Sequence, residues 1–123
     1  MTEQKIPAVL SVDLKKYRIR IFKTVLHEMG DPMNVQLLVN PDAMLVAIRS
    51  VEKKASGDQT HTVGRLLLSP SANCDIYSRV FVMKLREVSK TMQEGHSYRL
   101  AGEVIPSQKV AVFDLKTLEE IDV

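Results

Sequence analysis

One cysteine, Cys74, is all the chain holds, so no internal disulfide framework exists and a reducing compartment suits it. Tryptophan is absent, and aromatic residues make up only 5% of the 123 positions, which leaves the core to aliphatic side chains. No apolar run approaches the roughly 18–20 residues a helix needs to span a bilayer, so no membrane partner is expected. The first residues, Met1 to Pro7, lack the apolar centre of a signal peptide. A cytoplasmic protein is therefore the expectation. The five glycines form no phosphate-cradling loop, and His27, His61 and His96 show neither HxH nor HxxxH spacing. No metal, cofactor or small-molecule substrate is expected. Charge of one sign is lacking as well: the net value is +2. It is distributed unevenly, with 14 Lys/Arg against 9 Asp/Glu over residues 1–90, and 3 against 6 over 91–123.

What the chain does hold is an ordinary globular balance, 45% hydrophobic and 26% charged, at the length of a single domain. The pattern along it repeats. Tyr17, Ile19 and Ile21 alternate with Arg18 and Arg20 and read as a half-buried strand. Phe22, Val25, Leu26 and Met29 then share a helical face, closed by Gly30 and Pro32. Two β-rich runs follow, Val35–Asn40 and Met44–Val51, around a turn at Pro41-Asp42-Ala43. After a polar stretch over 52–62 and a strand expected at Val63–Ser69, the order recurs. A helix is expected over Ile76–Met92, with Tyr77, Phe81, Leu85, Val88 and Met92 on one face. A hairpin of Ser97–Ile105 and Lys109–Leu115 follows around Pro106-Ser107-Gln108, and Thr117–Ile121 reads as a closing turn. Residues 1–13 read as a lead-in, with Pro7 arguing against early helix.

These elements imply an α+β domain over 1–123, built from a duplicated β-α-β-β unit (about 15–51 and 63–115). An antiparallel sheet would carry both helices packed on one face. Ile19, Ile21, Leu37, Val46, Ile48, Leu100, Val110 and Val112 would point toward the helices. Leu38, Leu45, Ala47, Ala101, Ile105, Ala111 and Phe113 would point away, and a row of apolar residues on an open sheet face predicts self-association. Leu38, Leu45, Ile105 and Phe113 are thus the expected homo-oligomer interface.

In element order, residues 15–115 resemble one ring segment of the DNA sliding clamps, the polymerase processivity factors, and are also similar to the saddle of TATA-binding proteins. The clamp resemblance implies inward-facing helices that look toward double-stranded DNA. At about 100° per residue, Arg79, Arg86 and Lys90 fall within about 40° of one another on the second helix, a row fit to track phosphates. Lys23 on the first helix would extend the row, with His27 beside it. The segment Lys15 to Lys23 holds five cations in nine residues, with Tyr17 available for stacking. If Tyr17 faces the core, however, Arg18 and Arg20 leave from the opposite side and act as edge-strand protection. Cys74-Asp75 is expected at a helix start with a structural role, and Asp31, Asp42 and Asp58 in turns. The function implied is a non-enzymatic, clamp-like protein that self-associates and binds DNA through Arg79, Arg86, Lys90 and Lys23. The alternative is a protein-interaction module using the outer sheet face or a sheet edge, without nucleic acid. An enzyme or small-molecule binder would need inward polar groups, and the inward set is almost wholly apolar.

Overall fold

The computed structural model describes residues 3–52 and 59–121. Eight strands and two short helices succeed one another: β1 (Ile6–Asp13), β2 (Arg18–Phe22), α1 (Lys23–Glu28), β3 (Asn34–Asn40), β4 (Leu45–Val51), β5 (Thr60–Thr62), β6 (Asn73–Tyr77), α2 (Arg79–Val88), β7 (Ser97–Ile105) and β8 (Val110–Ile121). All strands join one sheet in the order β5-β3-β4-β8-β7-β1-β2-β6, and every pairing is antiparallel. The edge strands come back toward each other. Ser78 Oγ, following β6, donates to Gln59 Oε1, preceding β5, at 3.0 Å. The sheet is a nearly closed barrel.

The reason lies in the alternation. Leu10 and Val12, Ile19 and Ile21, Val35 and Leu37, Val46 and Ile48, Cys74 and Ile76, Leu100 and Val104, and Ala111, Phe113 and Leu115 all point to one buried side. Seven strands thus supply period-two apolar residues to a single core, and curling the sheet around that core removes them from water together. The helices, six and ten residues long, add Val25, Leu26, Phe81, Val82 and Leu85 to the same cluster.

The expected class is corrected here. At 50% strand against 19% helix, the molecule is a curved antiparallel sheet, and the helices are too short to form a layer over a sheet face. The recurring unit is also larger than the sequence pattern implies. The first half runs β1-β2-α1-β3-β4 and the second β5-β6-α2-β7-β8. Exchanging β1 with β5, β2 with β6, β3 with β7 and β4 with β8 maps every paired neighbour onto another pair except β1–β2, whose counterpart β5–β6 is the open seam, so the topology has an approximate pseudo-two-fold.

Three local expectations change with it. The lead-in is β1, which pairs with β7 over all eight residues but with β2 only over Leu10–Asp13. Pro7 therefore sits where one side of β1 is open, and its missing N–H disturbs no ladder on that side. Residues 73–77 are strand, not helix, and the expected strand over 63–69 holds a 3₁₀ turn at Leu66–Leu68. The expected closing turn continues β8: Thr117 Oγ1 accepts from Ala101 N at 2.8 Å and donates to Asp114 O at 2.6 Å. That hydroxyl fills the break in the ladder before Glu119–Ile121 pairs with Ser97–Arg99. The polar stretch over 52–62 ends in β5, while residues 53–58, with the turn expected at Asp58, lie outside the described residues.

β8 is shifted in phase relative to the expectation. Ala111 and Phe113 are buried and Val110 and Val112 half-exposed, the reverse of the predicted facing. Gly102 on the neighbouring strand makes the room: a Cβ there would overlap the Val112 carbonyl oxygen and stand 2.8 Å from Phe113 Cδ1. Phe113 therefore packs inward, against the one residue of β7 that has no side chain.

Candidate nucleic-acid interface

α2 begins at Ser78, whose Oγ accepts from Phe81 N at 3.2 Å and caps the helix. Phe81, Val82 and Leu85 fix the buried face. The opposite face therefore carries Arg79, Val80, Lys84 and Glu87 into solvent, with Arg86 half-buried and Lys90 exposed just beyond the last turn. Arg86 near the C-terminus is on the favourable end of the helix dipole.

The β1–β2 turn is held against this helix. Asp13 Oδ1 accepts from Lys15 N at 2.7 Å and from Lys16 N at 3.3 Å, tightening the turn. Tyr17 takes a left-handed backbone conformation, φ 53°, and its carbonyl accepts from Ser78 N at 3.0 Å. The ring leaves the strand and packs, half-buried, against the edge of the core. It meets Arg79, whose guanidinium carbon lies 4.8 Å from the ring centroid, within cation–π range. Tyr17 Oη donates to Glu94 Oε1 at 2.8 Å, and that bond raises the phenol's pKa; Arg79 and Arg86 pull it the other way.

The two basic segments thus converge, which sequence reasoning did not anticipate. Lys15, Lys16, Arg79, Arg86 and Lys90 stand against Glu87 and Glu94, and none of the five is in an ion pair among the described residues. The missed signal was local: Asp13-Leu14-Lys15-Lys16 between two alternating apolar runs is turn chemistry, which takes Tyr17 out of the strand.

Lys23 does not join them. It is buried, and its Nζ donates to the carbonyl and, at 3.1 Å, to the hydroxyl of Ser69. As the first residue of α1 it is pinned beside the connector into β6, its own N–H bonded to Ala72 O at 3.0 Å. Arg18 and Arg20 do leave from the outer face, but β2 lies between β1 and β6 and is no edge. Their charges are met by Asp13 and Asp75, with Arg20 Nε 2.9 Å from Asp75 Oδ1.

Of the expected oligomer interface, Leu38, Leu45 and Ile105 face outward with partial exposure, whereas Phe113 is fully buried. Val112 takes its place: register aligns Leu38 with Ala47 and Ala47 with Val112, an apolar row across three strands.

Cys74 sits in β6, where burial and then Asp75 push its thiol up to about 11, so it is no nucleophile at neutral pH. His27 pairs with Asp31, His96 with Glu120, and His61 with Gln59, each at a different place in the fold. Among the described residues no cluster of ligands could hold a metal ion, and no helix is long and apolar enough to cross a membrane. Compared with family models, curated proteins and solved structures, the chain matches none.

Proposed function

We propose that this barrel is a non-enzymatic nucleic-acid-binding protein whose phosphate contacts come from Arg79 and Arg86 on α2 and Lys90 just past its end, joined by Lys15 and Lys16 of the β1–β2 turn. The observation that carries it is Arg79 stacked on Tyr17, because this contact brings the two uncompensated basic segments onto one surface. Cations held on rigid elements and left without carboxylate partners suit a polyanion, since each phosphate neutralised releases counterions. Tyr17 lies within that surface and offers a ring edge to a base.

Fluorescence polarisation with labelled duplex and single-stranded DNA at several salt concentrations tests the reading. Removing three phosphate contacts in an Arg79/Arg86/Lys90→Ala variant lowers the slope of log K against log salt by about 2.7 for duplex, or about 2.1 for a single strand. Negligible binding by the wild type, or an unchanged slope in the variant, overturns it.

A second reading rests on the outward row Leu38, Ala47 and Val112. Self-association through this row places a second copy against the face of the barrel formed by β3, β4 and β8. Analytical ultracentrifugation at tens of micromolar shows a dimer that Leu38→Glu or Val112→Glu dissolves; a monomer at that concentration removes this reading.

A further inference from the structure

We infer that the cavity beside the Asp13–Tyr17 turn is a binding site for a phosphate monoester group, one that shares Lys15 and Lys16 with the proposed nucleic-acid surface but needs none of Arg79, Arg86 and Lys90. The cavity has a volume of about 400 Å³ and is lined by Lys15, Lys16, Arg18, His96, Asp13 and Glu120, among others. That size is within the range of small-ligand sites, and far larger than one water needs.

Its charge is what selects the ligand. The two carboxylates are already engaged in the wall. Asp13 accepts from Arg18 Nη2 at 3.0 Å and from the amides of Lys15 and Lys16, and Glu120 is paired with His96. Lys15 and Lys16 are exposed at the rim with no ion pair among the described residues. Arg18 lines the wall between two carboxylates, its Nη2 3.0 Å from Asp13 Oδ2 and its Nη1 3.7 Å from Asp75 Oδ2.

Arg18 is met by Asp13 and Asp75, so the positive charge at the cavity that no carboxylate meets among the described residues is that of Lys15 and Lys16. A guanidinium held by its aspartates, with two mobile ammonium groups beside it, suits a tetrahedral dianion with three acceptor oxygens. A singly charged planar carboxylate uses less of this set. Phosphate chemistry reaches such a cavity from two sources, a free phosphorylated small molecule or the phosphorylated end of a nucleic-acid strand.

The test is a titration of the full-length protein, at constant ionic strength, followed by backbone amide NMR shifts. The probes are inorganic phosphate, a nucleoside 5′-monophosphate, and an oligonucleotide with or without a 5′-phosphate. The expected result is saturable shifts at Lys15, Lys16, Gly95 and His96 with at least one phosphate-bearing probe, weakened about tenfold or more in Lys15→Ala/Lys16→Ala. The Arg79/Arg86/Lys90→Ala variant leaves the phosphate and mononucleotide titrations unchanged, which separates this site from the α2 surface. Preference for the 5′-phosphorylated over the 5′-hydroxyl strand assigns the cavity to strand ends; equal response to the mononucleotide assigns it to a small molecule. Absence of saturable shifts with every probe, or equal affinity in the double-lysine variant, overturns the inference.

Discussion

Replacing Phe113 with alanine tests the phase of β8, on which both the core and the outer apolar row depend. The side chain is fully buried, packed against Gly102 and at the centre of the strand's inward set. Truncating a fully buried phenylalanine costs about 3–5 kcal/mol, from the lost burial and the cavity it leaves. Gly102 brings no side chain of its own to fill that cavity, so the upper part of the range is expected. For a domain of this size about 1 kcal/mol moves the melting temperature by roughly 4 °C, so a loss of about 4–5 kcal/mol corresponds to about 16–20 °C. Val112, one residue earlier and half-exposed, loses under about 1.5 kcal/mol on the same substitution, because only part of its surface leaves water on folding. Urea denaturation of the two variants, with m-values compared, gives the ratio directly. Equal losses, or a larger loss for Val112→Ala, would falsify the inward placement of Phe113 and restore it to the outer face.

Lys23→Ala destabilises the fold by about 1–3 kcal/mol in the same assay, since the buried Ser69 contacts lose their donor, but leaves DNA affinity unchanged. Cys74 resists Ellman's reagent at pH 8 in the folded protein and reacts at once in 6 M urea; rapid native labelling would contradict its burial in β6. Ser107 and then Gln108 hold the Glu3 carboxyl below its usual pKa, so the tie between the N-terminal segment and the β7–β8 turn is fully present above the unfolded pKa. It is lost as pH falls through the lower folded value, and amide exchange near Ser107 reports that loss in the wild type but not in Glu3→Gln. Gly102→Ala destabilises even in a Phe113→Ala background, because the Val112 carbonyl still obstructs the added methyl.

Several elements were readable because local chemistry and fold agree. Gly30 takes φ 88° at the end of α1, as a helix-closing glycine should, and Pro41-Asp42 and Pro106-Ser107-Gln108 mark real hairpins. Others could not be read locally. Tyr77, Phe81 and Leu85 keep helical spacing across the strand–helix junction, so the spacing predicts a helix that begins before Ser78 caps it. Ala111, Val112 and Phe113 are all apolar, and only the distant Gly102 decides which of them turn inward. At the candidate site, α2 ends at Val88, short of Lys90, and of the expected row only Arg79 and Arg86 were legible from helical periodicity. Their meeting with Lys15 and Lys16 was not, because it depends on the left-handed turn at Tyr17 and on β2 pairing with β6. Lys23 misled for the opposite reason: a cation beside a helical stripe looks solvated until Ser69, far along the chain, is found to cover it.

The pseudo-two-fold has a bearing on how the chain comes apart. Around the barrel, β3–β4, β8–β7 and β1–β2 join strands of the same half, whereas β5–β3, β4–β8, β7–β1 and β2–β6 join strands of different halves. Neither half can therefore shelter its own greasy side chains, and each lends the other most of its neighbours. Such an interwoven polypeptide melts as one body, and it assembles slowly, because its contacts link distant stretches of sequence. A backbone cut between β4 and β5 would leave two pieces that are unstructured apart and recover the barrel when mixed.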